Sequence, residues 1–462
     1  MSYSPALTYF LDRLSGFSTN VFRLEPQNQN SATANKILRF TLPSNALLNM
    51  RSFALHFSAS TAGATAGGRL PPKIDTLIDR VEVACGGVQL SAGANFYNVL
   101  RHAKDALEGD KSNPVLGHPE MVRETSYVDG TTIVTTGNET YTSTNNETQF
   151  CIDHWEGFLG TCEPKIIDSS LLPDIVVSIY LADNNVLASV AGVTLDGTGG
   201  TDVTDNGTGT ATYSLANIHA TIECIGLAGS VYNNMVAGMI ASAGFLEVPF
   251  KQYFSFQDTV SQTMRFTVAT QSLDRIWVAH RRSAFGTQGG AVVVKGHKVS
   301  GAFTSQTSGG SPDQDVGIPS YDVGGVLDYN SEKYLTRFVD FPEPPTTSKN
   351  LYQFQLNGAY YPQFRATFEE MNQISRNSVN YSGKKCMYSL DTAKTNMSVQ
   401  CIRLNMPESE YGRLISGLDT RSVSLNGYYT MDNTSADRTV NLFAECSSTL
   451  RIGAGRMLEV VQ

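Results

Sequence analysis

Residues 77–90 have the sequence LIDRVEVACGGVQL, which combines a strand pattern with a break. Apolar residues recur at every second position or adjoin one another from Leu77 to Val83, and this pattern predicts a β-strand. Gly86 and Gly87 then end it. Apolar residues at helical spacing follow at Phe96, Val99, Leu100, Ala103 and Leu107. We therefore expect one isolated helix, closed by Gly109, inside a region built of strands.

The rest of the first half of the chain repeats the strand pattern. Short apolar or alternating runs are separated by turns that contain Pro and Gly, as expected for a β-rich protein. The predicted strands are Ile37–Leu42, Phe53–Phe57, Leu77–Val83, Phe150–Leu159, Ile175–Leu181 and Ile218–Ile225. Residues Gly192–Thr212 are rich in Gly, Thr and Asp and are predicted to form a loop.

A second series of strands follows a short helical segment. Val231, Met235, Met239 and Ile240 predict a connecting helix. The predicted strands after it are Phe245–Val248, Met264–Val268, Leu273–Ala279, Tyr352–Leu356, Ser398–Leu404, Leu425–Tyr429 and Val440–Cys446. Residues 286–345 are rich in Gly, Ser, Asp and Pro, and an insertion of this length is expected to serve a purpose at the surface.

These patterns predict an all-β chain with four parts. An N-terminal arm covers residues 1–34, a first β-domain covers 35–228, a connecting helix or linker covers 229–243, and a second β-domain covers 244–462. The length of 462 residues agrees with two large β-domains, because domains usually have about 100–200 residues. The 40 glycines and the low charged content of 17% also indicate many turns and loops.

The N-terminal arm carries a predicted amphipathic helix. Ser4 can cap it, Pro5 fits its first turn and Gly16 ends it. Its apolar residues fall on one face: Leu7, Phe10, Leu11 and Leu14. This face could dock on a neighbouring molecule or a lipid layer, or it could pack on its own domain; the sequence leaves both open. The first residues lack a secretory signal, and no stretch reaches the about 18 apolar residues of a membrane span, so synthesis in the cytosol is expected.

No catalytic, cofactor-binding or metal-binding residue is predicted. The motifs of serine hydrolases, zinc proteases, aspartic proteases and P-loop proteins are missing. The seven histidines show no ligand spacing and are interpreted as structural: His56, His102, His118, His154, His219, His280 and His297. The seven cysteines contain no C-x-x-C pair and are interpreted as reduced and mostly buried: Cys85, Cys151, Cys162, Cys224, Cys386, Cys401 and Cys446.

Charged residues give two weak candidates for binding. Asp202, Asp205 and Asn206 could hold Ca²⁺, but a plain turn is favoured because the twelve-residue loop with a terminal Glu is missing. Small basic clusters are interpreted as surface or interface ion pairs: Arg281 with Arg282, Lys384 with Lys385, and Arg451 with Arg456. The net charge of -9 at pH 7 argues against direct binding of nucleic acid, because that binding depends on Lys and Arg.

Residues 77–90 with the following helix resemble the strand, Gly-Gly turn and helix near the start of the double jelly-roll major capsid proteins. These are found in nucleocytoplasmic large DNA viruses, virophages and polinton-like viruses. Further segments are similar to the family in the same order and extend over most of the chain: Phe150–Asp183, Ser272–Val278, Leu356–Phe368 and Ala444–Ile452. The chain is short for the large-virus members and low in charge, which favours a polinton-like virus or a virophage.

The resemblance implies two eight-stranded jelly rolls side by side, with a few short helices and with loops forming an outer tower. It implies a non-enzymatic structural protein of the virion, made and assembled in the host cytoplasm or a viral factory. Three copies would form a pseudo-hexameric capsomer that tiles an icosahedral capsid. The implied partners are neighbouring capsomers, penton proteins and minor or cement capsid proteins, and an internal membrane is a further candidate. Gly197–Thr210 and Gly289–Gly325 are candidate tower and trimer-contact loops, the alternative being ordinary surface loops.

Two other functions stay open at this point. One is a minor capsid or turret protein with the same fold. The other is a secreted carbohydrate-binding or hydrolytic β-sandwich protein, which would use an aromatic cleft with paired carboxylates. Four aromatic residues do cluster in the sequence, but a packing role is favoured for them: Tyr360, Tyr361, Phe364 and Phe368.

Overall fold

The computed structural model describes the strand-rich parts of both halves. These are residues 17–62, 68–69, 74–91, 94–108, 149–186, 188–189, 202–204, 212–227, 236, 238, 240–242, 244–259, 263–282, 293–295, 351–379, 399–406, 417–421, 426–431 and 438–462. The predicted helix of the N-terminal arm lies outside them.

The first half contains thirteen strands in the described residues. In chain order they are β1 (Phe17–Leu24), β2 (Ala32–Thr33), β3 (Ile37–Thr41), β4 (Leu47–Ala62), β5 (Gly68–Arg69), β6 (Ile78–Cys85), β7 (Val88–Ser91), β8 (Gln149–Ile152), β9 (Ile166–Asp168), β10 (Ile175–Leu181), β11 (Ala188–Ser189), β12 (Asp202–Thr204) and β13 (Thr212–Leu227). One antiparallel sheet has the order β1-β13-β4-β8, with β2 also on β13 and β9 also on β4. The other has the order β3-β10-β6-β7, and β5 pairs with β11.

The second half contains ten strands in the described residues. They are β14 (Phe245–Thr259), β15 (Thr263–Phe266), β16 (Leu273–Arg282), β17 (Val293–Lys295), β18 (Tyr352–Leu356), β19 (Ala359–Ala366), β20 (Val399–Arg403), β21 (Gly427–Met431), β22 (Arg438–Gly453) and β23 (Leu458–Val461). One sheet has the order β14-β22-β16-β20, with β23 also on β22. The other has the order β15-β21-β18-β19.

The two halves have the same strand order. Each half has eight main strands, which can be numbered 1 to 8 along the chain: β1, β3, β4, β6, β7, β8, β10 and β13 in the first half, and β14, β15, β16, β18, β19, β20, β21 and β22 in the second. In both halves one sheet then has the order 1-8-3-6 and the other has the order 2-7-4-5. Eight strands in two packed sheets, with the first strand beside the last, form a jelly roll. The prediction of two tandem eight-stranded jelly rolls is confirmed.

The first barrel begins earlier in the chain than the sequence predicted. Strand β1 pairs with β13 from Phe17 beside Leu227 to Leu24 beside Ala220, so it is the first strand of the barrel. The predicted arm over residues 1–34 therefore contributes strands β1 and β2. Strand β1 was missed because its sequence, FSTNVFRL, has no regular apolar alternation. We propose that the first barrel starts at Phe17; the boundaries at 229 and 244 stay predictions.

Three α-helices are described over their full length: α1 (Tyr97–Glu108), α2 (Phe158–Thr161) and α3 (Phe368–Ser378). Short 3-10 helices cover Ile74–Leu77, Ser169–Leu171, Asn184–Val186 and Ala454–Arg456. Helix α1 confirms the predicted isolated helix. It follows the fifth strand of the first barrel, and α3 follows the fifth strand of the second, so the two helices occupy equivalent positions.

Several predicted elements differ from the structure at their ends. Leu77 closes a 3-10 helix, and the strand begins at Ile78. The predicted strand Phe150–Leu159 ends at Ile152, because Gly157 has a φ of 77° and the chain turns into helix α2. In the predicted connecting helix, residues 240–242 are helical, and the N–H of Gly244 donates to the Ile240 carbonyl at 2.8 Å. Val231, Met235 and Met239 lie outside the described residues.

The two predicted tower loops contact each other. Strand β12 belongs to the loop predicted over Gly192–Thr212, and β17 belongs to the insertion of the second barrel. They pair antiparallel, with Asp202 opposite Lys295 and Thr204 opposite Val293. Asp202 therefore lies in a strand and not in the turn that was predicted for it, while Asp205 and Asn206 lie outside the described residues. This pairing joins a loop of the first barrel to a loop of the second.

The N-terminus of helix α3 carries a capping box. The Thr367 hydroxyl accepts from the Glu370 N–H, and the Glu370 carboxylate accepts from the Thr367 N–H at 2.8 Å. We expect Thr367→Ala to lower the free energy of unfolding by about 1 kcal/mol, because a helix N–H then loses its acceptor. Thr367→Ser keeps the hydroxyl and is the control. Urea unfolding midpoints measure both, and equal midpoints for the two variants would show that the cap contributes nothing.

Candidate functional site

The contact between the two barrels contains a group of buried charged side chains. Helix α1 contacts β6 in its own barrel, β16 and β20 in the second barrel, and helix α3. Helix α2 contacts both β4 and β14, and the last strand, β23, contacts β7. The larger of the two apolar clusters therefore includes residues of both barrels, while the smaller one belongs to the second barrel alone.

The outer face of one sheet of the second barrel is buried by this contact. Trp277, Phe443 and Cys401 lie side by side on β16, β22 and β20, and each is fully buried. They belong to the apolar cluster shared with the first barrel. The next residues along the same strands point into the core of the second barrel: Ile276, Ala444 and Ile402. Because successive side chains of a strand point to opposite faces, this sheet is buried on both of its faces.

A carboxylate and two cations are buried together where α1 meets the second barrel. The Glu156 carboxylate accepts from Arg101 at 3.1 Å, from Lys104 at 2.6 Å and from the Tyr253 hydroxyl at 3.0 Å. The Glu156 N–H donates to the Tyr97 hydroxyl at 2.8 Å. Tyr253 belongs to β14, so this network connects the two barrels directly. The Lys104 Nζ atom also lies 5.9 Å from the centre of the Trp277 ring.

The carboxylate and the ammonium group of this network, Glu156 and Lys104, stay ionised despite their burial. Burial by itself raises the pKa of Glu156, but attraction to Lys104 and Arg101 outweighs it and holds this pKa below its ordinary value. Burial by itself lowers the pKa of Lys104, but attraction to Glu156 and Tyr253 raises this pKa well above its ordinary value. The fixed directions of these charge-assisted bonds restrict how α1 can sit on the second barrel.

The pKa of Glu156 gives the network a testable pH dependence. A carboxyl group whose pKa is lower in the folded chain adds stability above the unfolded value of 4.5 and loses it as the pH falls through the folded value. We therefore expect the stability difference between the wild type and Glu156→Gln to be constant from pH 7 to about pH 5 and to shrink at lower pH. Urea unfolding at a series of pH values measures this difference. A difference that stays constant down to pH 3 would contradict the prediction.

The first barrel also caps the edge strand of the second barrel. The Glu163 N–H donates to the Pro249 carbonyl at 2.9 Å. The Lys251 N–H donates to the Thr161 hydroxyl at 2.8 Å, and the Asn95 N–H donates to the Ser255 hydroxyl at 3.0 Å. Unpaired edge strands invite pairing with other chains, so these bonds protect β14 from that outcome.

The histidines occupy structural positions where the structure describes them. His102 bonds to Thr76 at 2.9 Å, and His280 bonds to the Tyr429 hydroxyl at 3.0 Å inside the second barrel. His56 stacks on His219, and His154 contacts Asp153. His118 and His297 lie outside the described residues. Among the residues that the structure describes, no group of three His, Cys, Asp or Glu side chains is placed to hold a metal ion.

Six of the cysteines are described, and all six are free thiols. Cys85, Cys162, Cys224, Cys401 and Cys446 are buried, and Cys151 is partly exposed, which agrees with the sequence interpretation. Burial raises the pKa of Cys85 and of Cys162 to about 12. These two side chains are therefore protonated and unreactive at neutral pH. Cys386 lies outside the described residues.

The other interpretations of residue roles have mixed outcomes. Arg451 pairs with Glu247 at 3.1 Å at the surface, as predicted for a basic cluster. Tyr361 and Phe368 pack against the second core, as predicted. Tyr360 and Phe364 are 49% and 52% exposed, so the packing role predicted for them is wrong. They lie on the edge strand β19, where one face points away from the core. Within the described residues, no helix is both long and apolar enough to cross a membrane.

Comparison with solved structures identifies the fold. A quasi-atomic model of the PBCV-1 virus capsid is similar to this chain at 13% sequence identity and a TM-score of 0.54. The similarity covers 97% of this chain and 97% of that chain. A second comparison is with the PBCV-1 protein fitted into a reconstruction of the virophage Sputnik, at 13% identity, 96% and 97% coverage and a TM-score of 0.53. The chain has the double jelly-roll fold.

The Faustovirus major capsid protein is also similar, at 9% identity, with 95% of this chain and 91% of that chain covered and a TM-score of 0.52. No family model and no curated protein matches the chain. Within this double jelly roll, the ionic network around Glu156 was not found from sequence. Its members come from helix α1, from the segment before α2 and from β14, so no local motif unites them. The one available signal was the position of Arg101 and Lys104, one turn apart in a helix that also carries the apolar residues Leu100 and Ala103.

Proposed function

We propose that this protein is the major capsid protein of a double-stranded DNA virus and that three copies form a pseudo-hexameric capsomer. The observation that carries this proposal is the contact between two barrels of identical strand order within one chain. A building block of this kind has two similar units in contact within one chain. Three such blocks supply six barrels, and six similar units around an axis fill a hexagonal cell of a lattice.

The similarity to capsid structures supports the same proposal. The compared structures include a virus capsid and a major capsid protein, and the coverage extends over nearly all of each chain. The role is structural and non-enzymatic, and the protein resides in the virion after assembly in the host cytoplasm or a viral factory. Its partners are neighbouring capsomers, penton proteins and minor or cement capsid proteins, with an internal membrane as a further candidate. Genome contact is indirect, because the chain carries a net charge of -9.

Light scattering after size-exclusion chromatography tests the proposal. We expect a species of three times 50.1 kDa that persists on dilution, because an obligate trimer buries a large interface. A stable monomer under all conditions would contradict the capsomer. Copy number in purified particles separates the two capsid functions, since a minor capsid or turret protein would be a small fraction of the stained protein.

A further inference from the structure

The two barrels carry equivalent rows of side chains on the outer faces of equivalent sheets. In the second barrel the row contains Trp277, Phe443 and Cys401. In the first barrel, His56 on β4 lies opposite His219 on β13 and opposite Cys151 on β8. Strands β4, β13 and β8 have the same places in the strand order as β16, β22 and β20. His56 therefore corresponds to Trp277.

The adjacent rows confirm this correspondence. In the first barrel the next row points into the core and contains Leu55, Ala220 and Ile152. In the second barrel it contains Ile276, Ala444 and Ile402. The same diagonal hydrogen bond also occurs twice. His56 Nε2 is 2.9 Å from the Thr221 hydroxyl, and Trp277 Nε1 donates to the Glu445 carboxylate at 2.9 Å.

The two rows differ in what covers them. Helix α1 and the first barrel bury the row of the second barrel completely. In the first barrel, the described part of the chain leaves His56, His219 and Cys151 half-buried. The two imidazole rings stack with their centres 5.0 Å apart and 10° between their planes, which gives a flat surface. Within the described residues, no long helix packs on this row as α1 packs on the row of the second barrel.

Helix α3 is the equivalent of the covering helix. It occupies the position in the second barrel that α1 occupies in the first. The described residues of α1 are buried or half-buried around its circumference, whereas α3 exposes Glu369, Glu370, Gln373 and Asn377. A polar helix face is compatible with docking here, because α1 meets the second barrel through charged residues such as Lys104.

Exposed apolar side chains mark both halves of the missing contact. Of the eight large apolar side chains that are exposed among the described residues, two lie on the outer side of the first-barrel sheet: Val21, opposite Glu223, and Ile166, opposite Asn49. Three others lie on β19 or just after β20, two strands that contact α3: Tyr360, Phe364 and Met406. The corresponding strands inside one chain are covered, since β14 is capped by the first barrel and β7 contacts β23.

We propose that the first-barrel face of one copy, formed by Val21, Ile166, His56 and His219, binds the second-barrel face of the next copy. The second-barrel face is formed by helix α3 with Tyr360, Phe364 and Met406. This contact repeats between chains the contact that joins the barrels within one chain. It rests on the proposed capsomer and assigns its subunit interface. A head-to-tail contact of this kind forms a closed ring when its rotation closes, and three copies give a ring of six barrels.

Charged substitutions on each face test the assignment separately. Val21→Glu with His219→Glu alters the first-barrel face, and Tyr360→Glu with Phe364→Glu alters the second-barrel face. Val21, Tyr360 and Phe364 are exposed and His219 is half-buried, so each variant is expected to fold, which thermal unfolding checks. Met457→Glu is the control, because Met457 is 73% exposed and lies outside both faces. We expect light scattering to give each double variant the molar mass of a monomer, 50.1 kDa, and the control the mass of a trimer.

Mixing the two double variants tests the head-to-tail geometry. Each variant keeps one intact face of the opposite kind, so an equimolar mixture is expected to form a species of two times 50.1 kDa and nothing larger. Either variant forming dimers alone would overturn the assignment, because it would show a contact between identical faces. The assignment would also be overturned if the wild type were trimeric and both double variants folded and stayed trimeric. That result would leave the proposed capsomer unaffected. A monomeric wild type would instead count against the proposed function itself.

Discussion

Replacing Glu156 with alanine is expected to lower the free energy of unfolding by about 3–5 kcal/mol. The substitution removes the shared acceptor of Arg101, Lys104 and Tyr253 while leaving both cations buried. A buried charge that loses its partner keeps its desolvation cost, which is why the loss exceeds that of an ordinary hydrogen bond. Because Tyr253 belongs to the second barrel, we also expect the two barrels of this variant to unfold in separate transitions.

The matched control for this prediction is Glu163→Ala. Glu163 pairs with Arg51 at 2.9 Å, but both side chains are about half exposed, so the loss is expected to be at most about 1 kcal/mol. Calorimetry measures the number of transitions, and urea unfolding measures the free energies. Equal losses for Glu156→Ala and Glu163→Ala would contradict the role assigned to the buried network.

Trp277→Ala is expected to cost about 3–5 kcal/mol. The indole is fully buried between the sheet of the second barrel and helix α1, and it donates to Glu445 at 2.9 Å. Its removal leaves a cavity at the contact between the barrels and takes a donor from a buried carboxylate. Since the side chain points away from the core of the second barrel, the lost free energy comes from the contact between the barrels.

Phe245→Ala is the control for the tryptophan. Phe245 is 37% exposed at the start of β14, and the Arg451 guanidinium lies 4.6 Å from its ring centre, so a loss within about 1 kcal/mol is expected. Urea unfolding of both variants, with proteolysis to report on exposure of the linker between the barrels, measures the effect. A Trp277→Ala protein as stable as Phe245→Ala would show that the contact does not depend on the indole.

Strands with regular alternation were predictable from sequence. Ile175–Leu181 and Tyr352–Leu356 agree with the structure at both ends, because buried and half-buried residues alternate along them. Long strands were predicted too short. Strand β4 extends over Leu47–Ala62, whereas Phe53–Phe57 was predicted, since its pairing with β13 shifts register twice and the apolar period is broken there. Local patterns alone did not predict the jelly-roll fold, which was implied by the family resemblance.

The candidate site was much less predictable than the fold. Arg101, Lys104 and Glu156 become partners only after helix α1 is placed between two barrels. The same is true of His56 and Trp277, which are separated by more than 200 positions and share no local motif, yet occupy equivalent sites in two sheets. Exposed positions such as Phe364 were misread because an aromatic cluster in a sequence cannot reveal which side of an edge strand it lies on.

Electron cryo-microscopy of the purified assembly shows whether the capsomer has the proposed arrangement. We expect three copies around a threefold axis, with six barrels in a hexagonal outline and with α1 and α3 alternating at the six contacts between neighbouring barrels. An assembly in which the outer face with His56 and His219 points to solvent, or in which the two barrels of one chain are not in contact, would contradict it.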